Sequence, residues 1–274
     1  MLSFSCPGTP ASTPASAGSL KGLDRCKELK ITAMELEWVQ AVPKNVEHVE
    51  TIGEKARSLG ITLTIHAPYY VNLNSKDASI ITASKKRILA ALTMGQICGA
   101  KSVCVHPAFY GGDEPGEAYA KVQSATEEIM KQKRKLFPDV NLAYETMGKP
   151  SQFGTLEEVL KLSKEFDIYP CVDSAHMHAR SNGQWNSAKE WEEIFDIYEK
   201  YLGKKSLRNM HMHFSGIAYG PKGEKHHLPI RESDAKWKEF LSVLKRKELG
   251  GVLVIESPVQ EEDVLFLKKG YQKL

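Results

Sequence analysis

Eight short apolar, β-branched runs recur along the chain, and longer segments with helical periodicity separate them. The runs begin near Leu2, Ile31, Ile61, Ser102, Val140, Ile168, Leu207 and Val252. Parallel strands need long crossover connections, which helices usually supply, so this alternation is typical of a parallel β-sheet covered by helices. The order of elements therefore predicts an α/β fold.

The segments between the strands carry apolar residues at helical spacing. They predict helices over residues 20–29, 45–59, 75–98, 116–137, 156–166, 188–201, 234–248 and 261–269. Gly99, Gly203 and Gly250 follow three of these segments, where glycine commonly ends a helix. Each predicted strand is thus followed by a predicted helix.

Eight βα units in 274 residues suit a closed (β/α)8 TIM barrel, whose typical size is roughly 250 residues. An open doubly wound sheet is the structural alternative. No linker-like segment divides the chain, so we expect a single domain over residues 1–274. The low-complexity segment 8–19 (GTPASTPASAGS) is predicted as the loop after the first strand or as a mobile segment.

The composition is that of an ordinary globular protein. Hydrophobic residues make up 42% and charged residues 26%, which excludes wholesale disorder and collagen-like or coiled-coil structure. The net charge of +3 permits a polyanionic partner without requiring one. Five cysteines without a CxxC pair argue against disulfides and a cysteine-based zinc site. No secretory signal or membrane span is visible, so we expect a cytoplasmic location and no membrane partner.

Histidines and carboxylates cluster where the predicted strands end. The residues at these positions are His66, His106, Glu145, Asp173, His176, His211, His213, Glu224, His226, His227 and Glu256. In a closed parallel barrel all strands open on the same face, so these side chains would converge at one mouth. Mixed His, Asp and Glu ligands without cysteine are typical of a catalytic zinc or manganese site. The set therefore predicts a metal centre.

A single His or Glu after a strand is more often an ordinary hydrogen-bonding group than a ligand, so only the set carries the prediction. His211 and His213 are two residues apart on a strand and therefore point to the same side. The chain must turn after Asp173 to bring His176 back over the mouth. His48 is interpreted as a solvated helix residue. His178 could face either the site or solvent and is a candidate for supporting the metal ligands.

Several motifs together resemble the endonuclease IV family of apurinic/apyrimidinic (AP) endonucleases, a branch of the xylose-isomerase-like TIM barrels. In chain order they are HAPYYVNL, VCVHP, AYET, VDSAH, HMHFSG, EKHH and VIESP, and they cover nearly the whole chain. The resemblance implies three zinc ions at the barrel mouth. It assigns His66, His106 and Glu145 to the first ion; Glu145, Asp173, His211 and Glu256 to the second; and His176, Glu224 and His226 to the third.

The resemblance implies a DNA-repair activity, the hydrolysis of the phosphodiester 5′ to an abasic site in DNA. A metal-bound hydroxide would be the nucleophile and Glu145 the bridging catalytic ligand. Tyr69, Tyr70 and His213 are expected to line the substrate pocket. The expected partner is DNA with abasic sites, and no obligatory protein partner is implied. Manganese or another divalent ion would also suit these ligands.

The chain departs from the family pattern in three places. EKHH replaces an Asp-Arg-His run, which leaves open whether His226 or His227 is the ligand. HMHFSG replaces His-Leu-Asn-Asp, which leaves His213 as an extra ligand or as a substitute for His211. The loop over residues 38–44 (WVQAVPK) lacks the arginine-rich insertion that family members place in the minor groove. Duplex binding should therefore rest mainly on phosphate contacts.

Two other functions fit the same fold class. A sugar isomerase or epimerase would hold one metal with the quartet Glu145, Asp173, His211 and Glu256, and fold alone does not distinguish it. The additional ligands are unnecessary for one metal but needed for three, and they favour the endonuclease. A non-catalytic DNA-binding barrel would need a purely structural metal face, which the thiolate-free ligand set disfavours.

Overall fold

A computed structural model describes residues 1–14 and 18–274 of the chain. Its strands are β1 (Leu2–Pro7), β2 (Ala33–Glu37), β3 (Thr62–His66), β4 (Ser102–Val105), β5 (Ala108–Phe109), β6 (Asn141–Tyr144), β7 (Gln152–Phe153), β8 (Cys171–Asp173), β9 (Met210–Phe214), β10 (Gly216–Gly220), β11 (Gly223–Leu228) and β12 (Gly251–Ile255). Eight of them form one parallel sheet, in the order β6-β4-β3-β2-β1-β12-β9-β8. A parallel bridge between Glu145 and Cys171 links its two edges. The predicted single-domain TIM barrel is confirmed.

The helices between the strands are α1 (Gly18–Glu28), α2 (Val46–Leu59), α3 (Ala78–Cys98), α4 (Pro115–Leu136), α5 (Leu156–Phe166), α6 (Ser174–Arg180), α7 (Ala188–Leu202), α8 (Trp237–Arg246) and α9 (Glu261–Lys273). All eight predicted helices are present, and α6 is additional. The strands predicted from Ile168 and Leu207 begin three residues later than expected. Leu207 instead lies in the 3-10 helix Lys204–Arg208, which delays the start of β9.

Apolar side chains between the sheet and the helices form the main core. At one point in this layer the rings of Phe214 and Phe240 stack with centroids 4.4 Å apart. A capping box between Thr155 and Glu158 begins α5, and a left-handed Asp167 (φ 56°) ends it. These local signals explain why the predicted and observed bounds of this helix agree.

The barrel interior is unusually polar for this fold, in which branched apolar residues normally fill it. Ser5, Glu35, Thr64 and Ser102 are buried on barrel strands, and the side chain of Ser102 contacts that of His211 from another strand. Polar groups in the barrel interior need hydrogen-bond partners there, because they are removed from water. The interior therefore connects the barrel mouth with deeper polar residues.

Hydrogen bonds attach the described part of the segment 8–19 to the start of α9. The backbone N–H groups of Ala11 and Ser12 donate to the carboxylate of Glu261 at distances of 2.7 and 2.8 Å. Residues 18 and 19 begin α1, whereas residues 15–17 lie outside the described residues. Within the described ranges, no helix combines the length and apolarity that crossing a bilayer requires.

Candidate metal centre

The carboxylate of Glu145 lies at the centre of the barrel mouth, directly after β6, and is fully buried. Its Oε2 atom is 2.9 Å from Nε2 of His106 and 3.5 Å from Nε2 of His66. Its Oε1 atom is 3.2 Å from Nδ1 of His176 and 3.3 Å from Nδ1 of His213. The two oxygens therefore face different pairs of imidazoles, as a bridging carboxylate would.

A second group of ligands surrounds Nδ1 of His213. Donor atoms of Glu145, Asp173, His213 and Glu256 all lie within 4.8 Å of one another. Nδ1 of His213 is 3.3 Å from Oε2 of Glu256 and 3.8 Å from Oδ2 of Asp173. These four residues come from four different strand ends, which the closed barrel brings together.

The structure places His213 in this quartet, whereas the sequence-based assignment used His211. Nδ1 of His211 is instead 2.9 Å from Oγ of Ser102, and its Nε2 is 2.8 Å from Oε2 of Glu35. Both histidines point into the barrel, but each strand residue adds about 3.3 Å of rise. His211 therefore lies one layer deeper and does not reach the quartet.

A third group forms at α6. The side chain of Asp173 caps this helix by accepting the N–H of His176 at 2.7 Å, which is the turn that brings the imidazole back over the mouth. Nε2 of His176 is 3.0 Å from Oε2 of Glu224. Glu224 in turn lies on β11, which pairs with β10 in an antiparallel hairpin that the sequence analysis did not predict.

A β-bulge decides which side chains of the EKHH motif face the mouth. The pairing of β10 with β11 shifts between Ala218 and Tyr219, where β11 carries one extra residue. Strand side chains normally alternate, so Glu224 would share a face with His226. The bulge resets the alternation and places Glu224 on the same face as His227.

The contacts of the two histidines agree with this register. The ring of His227 is 5.9 Å from that of His176, and its Nδ1 is 2.7 Å from Oγ of Ser215. His226, which the resemblance assigned to the third ion, is exposed on the other face. The structure therefore brings His227, and not His226, to the candidate centre.

The two tyrosines of the HAPYY motif differ in position. The ring of Tyr69 lies 5.0 Å from that of His66 and 5.1 Å from that of His106, and 47% of the residue is exposed. The hydroxyl of Tyr70 donates to Oε1 of Gln40 at 2.9 Å, and 58% of the residue is exposed. Only Tyr69 thus borders the candidate centre directly.

The two remaining histidines lie outside the centre. His178 is buried on α6, and its Nε2 is 3.2 Å from Asp234, beside the ring of Tyr219. His48 is exposed on α2, as the sequence analysis expected. Neither residue contacts the groups around Glu145.

Sequence reasoning missed three groups beside the centre, of which Glu35 and Cys104 are buried and Glu37 is half-buried. Glu35 and Glu37 lie two residues apart on β2, and the thiol of Cys104 donates to Oε2 of Glu145 at 3.1 Å. Burial raises the pKa of Glu37 to about 8, although His66 opposes this. The detectable signal was the strand AMELE, because two carboxylates at alternate positions of an otherwise apolar strand must share one face.

Burial and charge act against each other at the central carboxylates. Burial raises the pKa of Glu145, but the imidazoles of His106 and His213 outweigh it and hold that pKa well below its usual value. Burial also raises the pKa of Asp173, and there it outweighs His176 with the help of neighbouring carboxylates, so the pKa lies well above its usual range. The carboxylates are therefore crowded at the mouth and depend on positive charge beside them, which a cation would supply.

The donor atoms at the mouth fit divalent metal ions. Among the described residues, Oε1 of Glu145, Oδ2 of Asp173, Nδ1 of His213 and Oε2 of Glu224 are buried and make no well-aligned hydrogen bond, although imidazole or carboxylate groups lie close to them. Unpaired buried polar atoms are costly, and here they converge. Imidazole and carboxylate donors suit zinc and manganese. The residues present therefore match the group that the sequence implied.

Comparison with known proteins identifies related sequences. The family described as xylose isomerase-like TIM barrel matches residues 23–270. An uncharacterized protein of Methanocaldococcus jannaschii is 35% identical over 274 residues, covering 100% of this chain and 98% of that protein. A probable endonuclease 4 of Aquifex aeolicus is 24% identical over 176 residues, covering 63% of this chain and 62% of the relative.

Solved structures with the same fold include two kinds of enzyme. Endonuclease IV from Thermus thermophilus superposes with a TM-score of 0.72 at 17% identity, over 99% of this chain and 98% of that one. A 3-keto-D-glucoside 4-epimerase from E. coli superposes with a TM-score of 0.73 at 14% identity, over 100% of both chains. At these identities the likeness shows the fold alone.

Proposed function

Since the chain belongs to the xylose isomerase-like TIM barrel family, we propose that it is a divalent-metal-dependent phosphodiester hydrolase that cleaves DNA 5′ to abasic sites. The observation that carries the proposal is the set of ligands beyond the quartet of Glu145, Asp173, His213 and Glu256. A sugar epimerase that holds one metal needs only such a quartet. Here further imidazoles reach Glu145 from the opposite side of its carboxylate.

The ligand groups divide into three sets around shared residues. His66, His106 and Glu145 would hold one ion; Glu145, Asp173, His213 and Glu256 a second; and His176, Glu224 and His227 a third. When bound, clustered divalent ions neutralise charge on a phosphodiester and lower the pKa of water. Imidazole and carboxylate donors suit zinc, and they would also accept manganese or another divalent ion.

The chain's own side chains supply the remaining parts of the proposed reaction. Tyr69 presents an exposed ring beside His66 and His106, where a sugar or an unpaired base could stack. Lys149 lies at the rim, with Nζ 3.3 Å from Oε1 of Glu224 and its side chain 43% exposed, and it can contact phosphate. An abasic nucleotide has no pairing to break, so turning it into the mouth costs less than flipping a normal base.

A duplex oligonucleotide with one synthetic abasic site tests this proposal. Protein reconstituted with zinc should cut the strand 5′ to the site and leave a 3′-hydroxyl, and it should leave an undamaged duplex intact. Glu145→Gln retains the side-chain size but removes the shared charge, so its cleavage rate should fall by about 10²-fold or more. Near-normal cleavage by this variant would refute the bridging role.

A second candidate function, sugar epimerisation, is supported by the completeness of the quartet, whose donor atoms lie within 4.8 Å of one another. The two functions differ in their dependence on His66 and His106. Replacing both by alanine would leave an epimerase its metal, but it should cost a phosphodiesterase one ion and most of its activity. Epimerisation of ketoses by wild type, unchanged in the double variant, would establish the alternative.

A further inference from the structure

A buried carboxylate below the candidate centre has no role in the proposed ligand sets. Glu35 lies on β2 and is 0% exposed. In the sheet order, β1 and β12 separate β2 from β9. The side chain of Glu35 therefore crosses the barrel interior to reach the two histidines of β9. A buried charge is costly unless it is paired, so this arrangement needs a reason.

The contacts of Glu35 involve one nitrogen of each histidine. Its Oε1 atom is 3.0 Å from Nε2 of His213, and its Oε2 atom is 2.8 Å from Nε2 of His211. Acidic oxygens thus face both nitrogens of the His213 ring, because its Nδ1 faces Glu145, Asp173 and Glu256. The imidazole of His213 therefore lies between Glu35 on its Nε2 side and the three carboxylates on its Nδ1 side, which together fix its orientation.

A neutral imidazole carries one N–H and one lone pair. With the proton on Nε2, the N–H of His213 would lie between Oε1 of Glu35, 3.0 Å away, and Nε2 of His211, 3.3 Å away, and the lone pair on Nδ1 would face the quartet. The opposite tautomer would aim a lone pair at the carboxylate of Glu35 and leave Nδ1 unable to bind a metal. Histidine ligands commonly donate their second N–H to a carboxylate in this way.

We propose that Glu35 is a positioning residue that holds His213 in its metal-binding tautomer, and that His211 fixes the orientation of the Glu35 carboxylate. His211 is itself held by Ser102 on β4, because its Nδ1 is 2.9 Å from Oγ of Ser102. This assigns a role to a buried histidine that binds no ion in the proposed sets. The inference rests on the proposed metal centre and is independent of its substrate.

The first test measures zinc binding rather than catalysis. Zinc is titrated into metal-free protein in competition with a chromophoric chelator, for wild type, Glu35→Gln and Glu35→Asp. Loss of a carboxylate that orients a histidine ligand typically costs about 10- to 100-fold in metal affinity. We expect a loss of that size for one zinc ion in Glu35→Gln, and a smaller loss in Glu35→Asp, which keeps the charge.

Glu261→Gln is the matched control. Glu261 is also buried, and its carboxylate accepts the backbone N–H groups of Ala11 and Ser12 away from the histidines. The change to glutamine is chemically the same, so it reports the general cost of losing a buried charge. We expect lower thermal stability but unchanged zinc affinity. Equal losses of zinc affinity in Glu261→Gln and Glu35→Gln would overturn the proposal.

The second test detects the tautomer of His213 directly, and its decisive spectrum is that of the wild-type protein. Long-range ¹H–¹⁵N spectra of the zinc-loaded, histidine-labelled protein distinguish imidazoles that bind through Nδ1 and keep Nε2–H from those that bind through Nε2 and keep Nδ1–H, and His213→Ala assigns the signal. We expect the Nε2–H form of His213 in wild type and a mixture in Glu35→Gln. An Nδ1–H form in wild type would overturn the proposal. If wild type shows the Nε2–H form of His213 but does not cleave abasic DNA, the result would instead count against the proposed function alone.

Discussion

Replacing Glu224 by glutamine should destabilise the metal-free protein in a way that depends on pH. Oε2 of Glu224 is 3.0 Å from Nε2 of His176, and Oε1 is 3.3 Å from Nζ of Lys149. Only 17% of the side chain is exposed, so solvent screens these pairs weakly. Glutamine keeps the shape of the side chain and removes its charge. The perturbation therefore isolates the electrostatic contribution of one proposed ligand.

The size of the effect follows from the pKa of the carboxylate. Burial raises the pKa of Glu224, but His176 and Lys149 outweigh it and lower the pKa from 4.5 to about 2. At about 1.4 kcal/mol per pKa unit, this corresponds to about 3 kcal/mol of folding free energy. Because the folded-state pKa is the lower one, the contribution is complete above pH 4.5 and disappears as the pH falls towards 2.

Urea unfolding of chelator-treated protein at several pH values measures this difference. At pH 7 the free energy of unfolding of Glu224→Gln should be lower than that of wild type by up to about 3 kcal/mol. The difference should shrink as the pH falls from about 5 to about 3. Glu232→Gln, at an exposed position, should match wild type throughout. A difference that stays constant over this whole range would refute the electrostatic argument.

In zinc-reconstituted protein, His227→Ala should lose one metal ion and His226→Ala none, since only His227 faces the mouth; equal metal contents in the two variants would contradict the assigned bulge. Gly148→Ala should also reduce metal content, because its Cβ would collide with Oε2 of Glu224; elemental analysis checks both. Tyr69→Ala should weaken binding to abasic duplex by about 1–3 kcal/mol in fluorescence anisotropy without changing metal content. Unchanged affinity would exclude stacking on this ring.

The alternation of apolar runs and helical segments, together with the count of eight units, predicted the barrel and left an open doubly wound sheet as the alternative. Local signals were strong where the chain has caps, as in α5, whose bounds agree with the prediction. They were weaker at α6, because this helix follows β8 without a loop and its first residues belong to the VDSAH motif. A short helix within a site motif has too few turns to show a periodicity.

The same alternation placed most candidate ligands at strand ends, since that position depends only on where each apolar run stops. Glu35 and Glu37 were missed for a related reason: they lie within a strand and not after it. The side chain of Glu35 acts across the barrel on His213. Such a contact joins strands that are distant in the chain, and no local pattern reports it.

The sequence by itself determined the α/β class, the eight βα units and the residue types at the strand ends, because hydrophobic spacing decides all three. Only the tertiary structure decided between neighbouring histidines. His213 reaches the quartet and His211 does not, because one layer of barrel depth separates them. His227 faces the mouth and His226 does not, because a bulge shifts the register of β11. Both choices depend on the depth and pairing of strands in three dimensions, and the order of residues does not encode them locally.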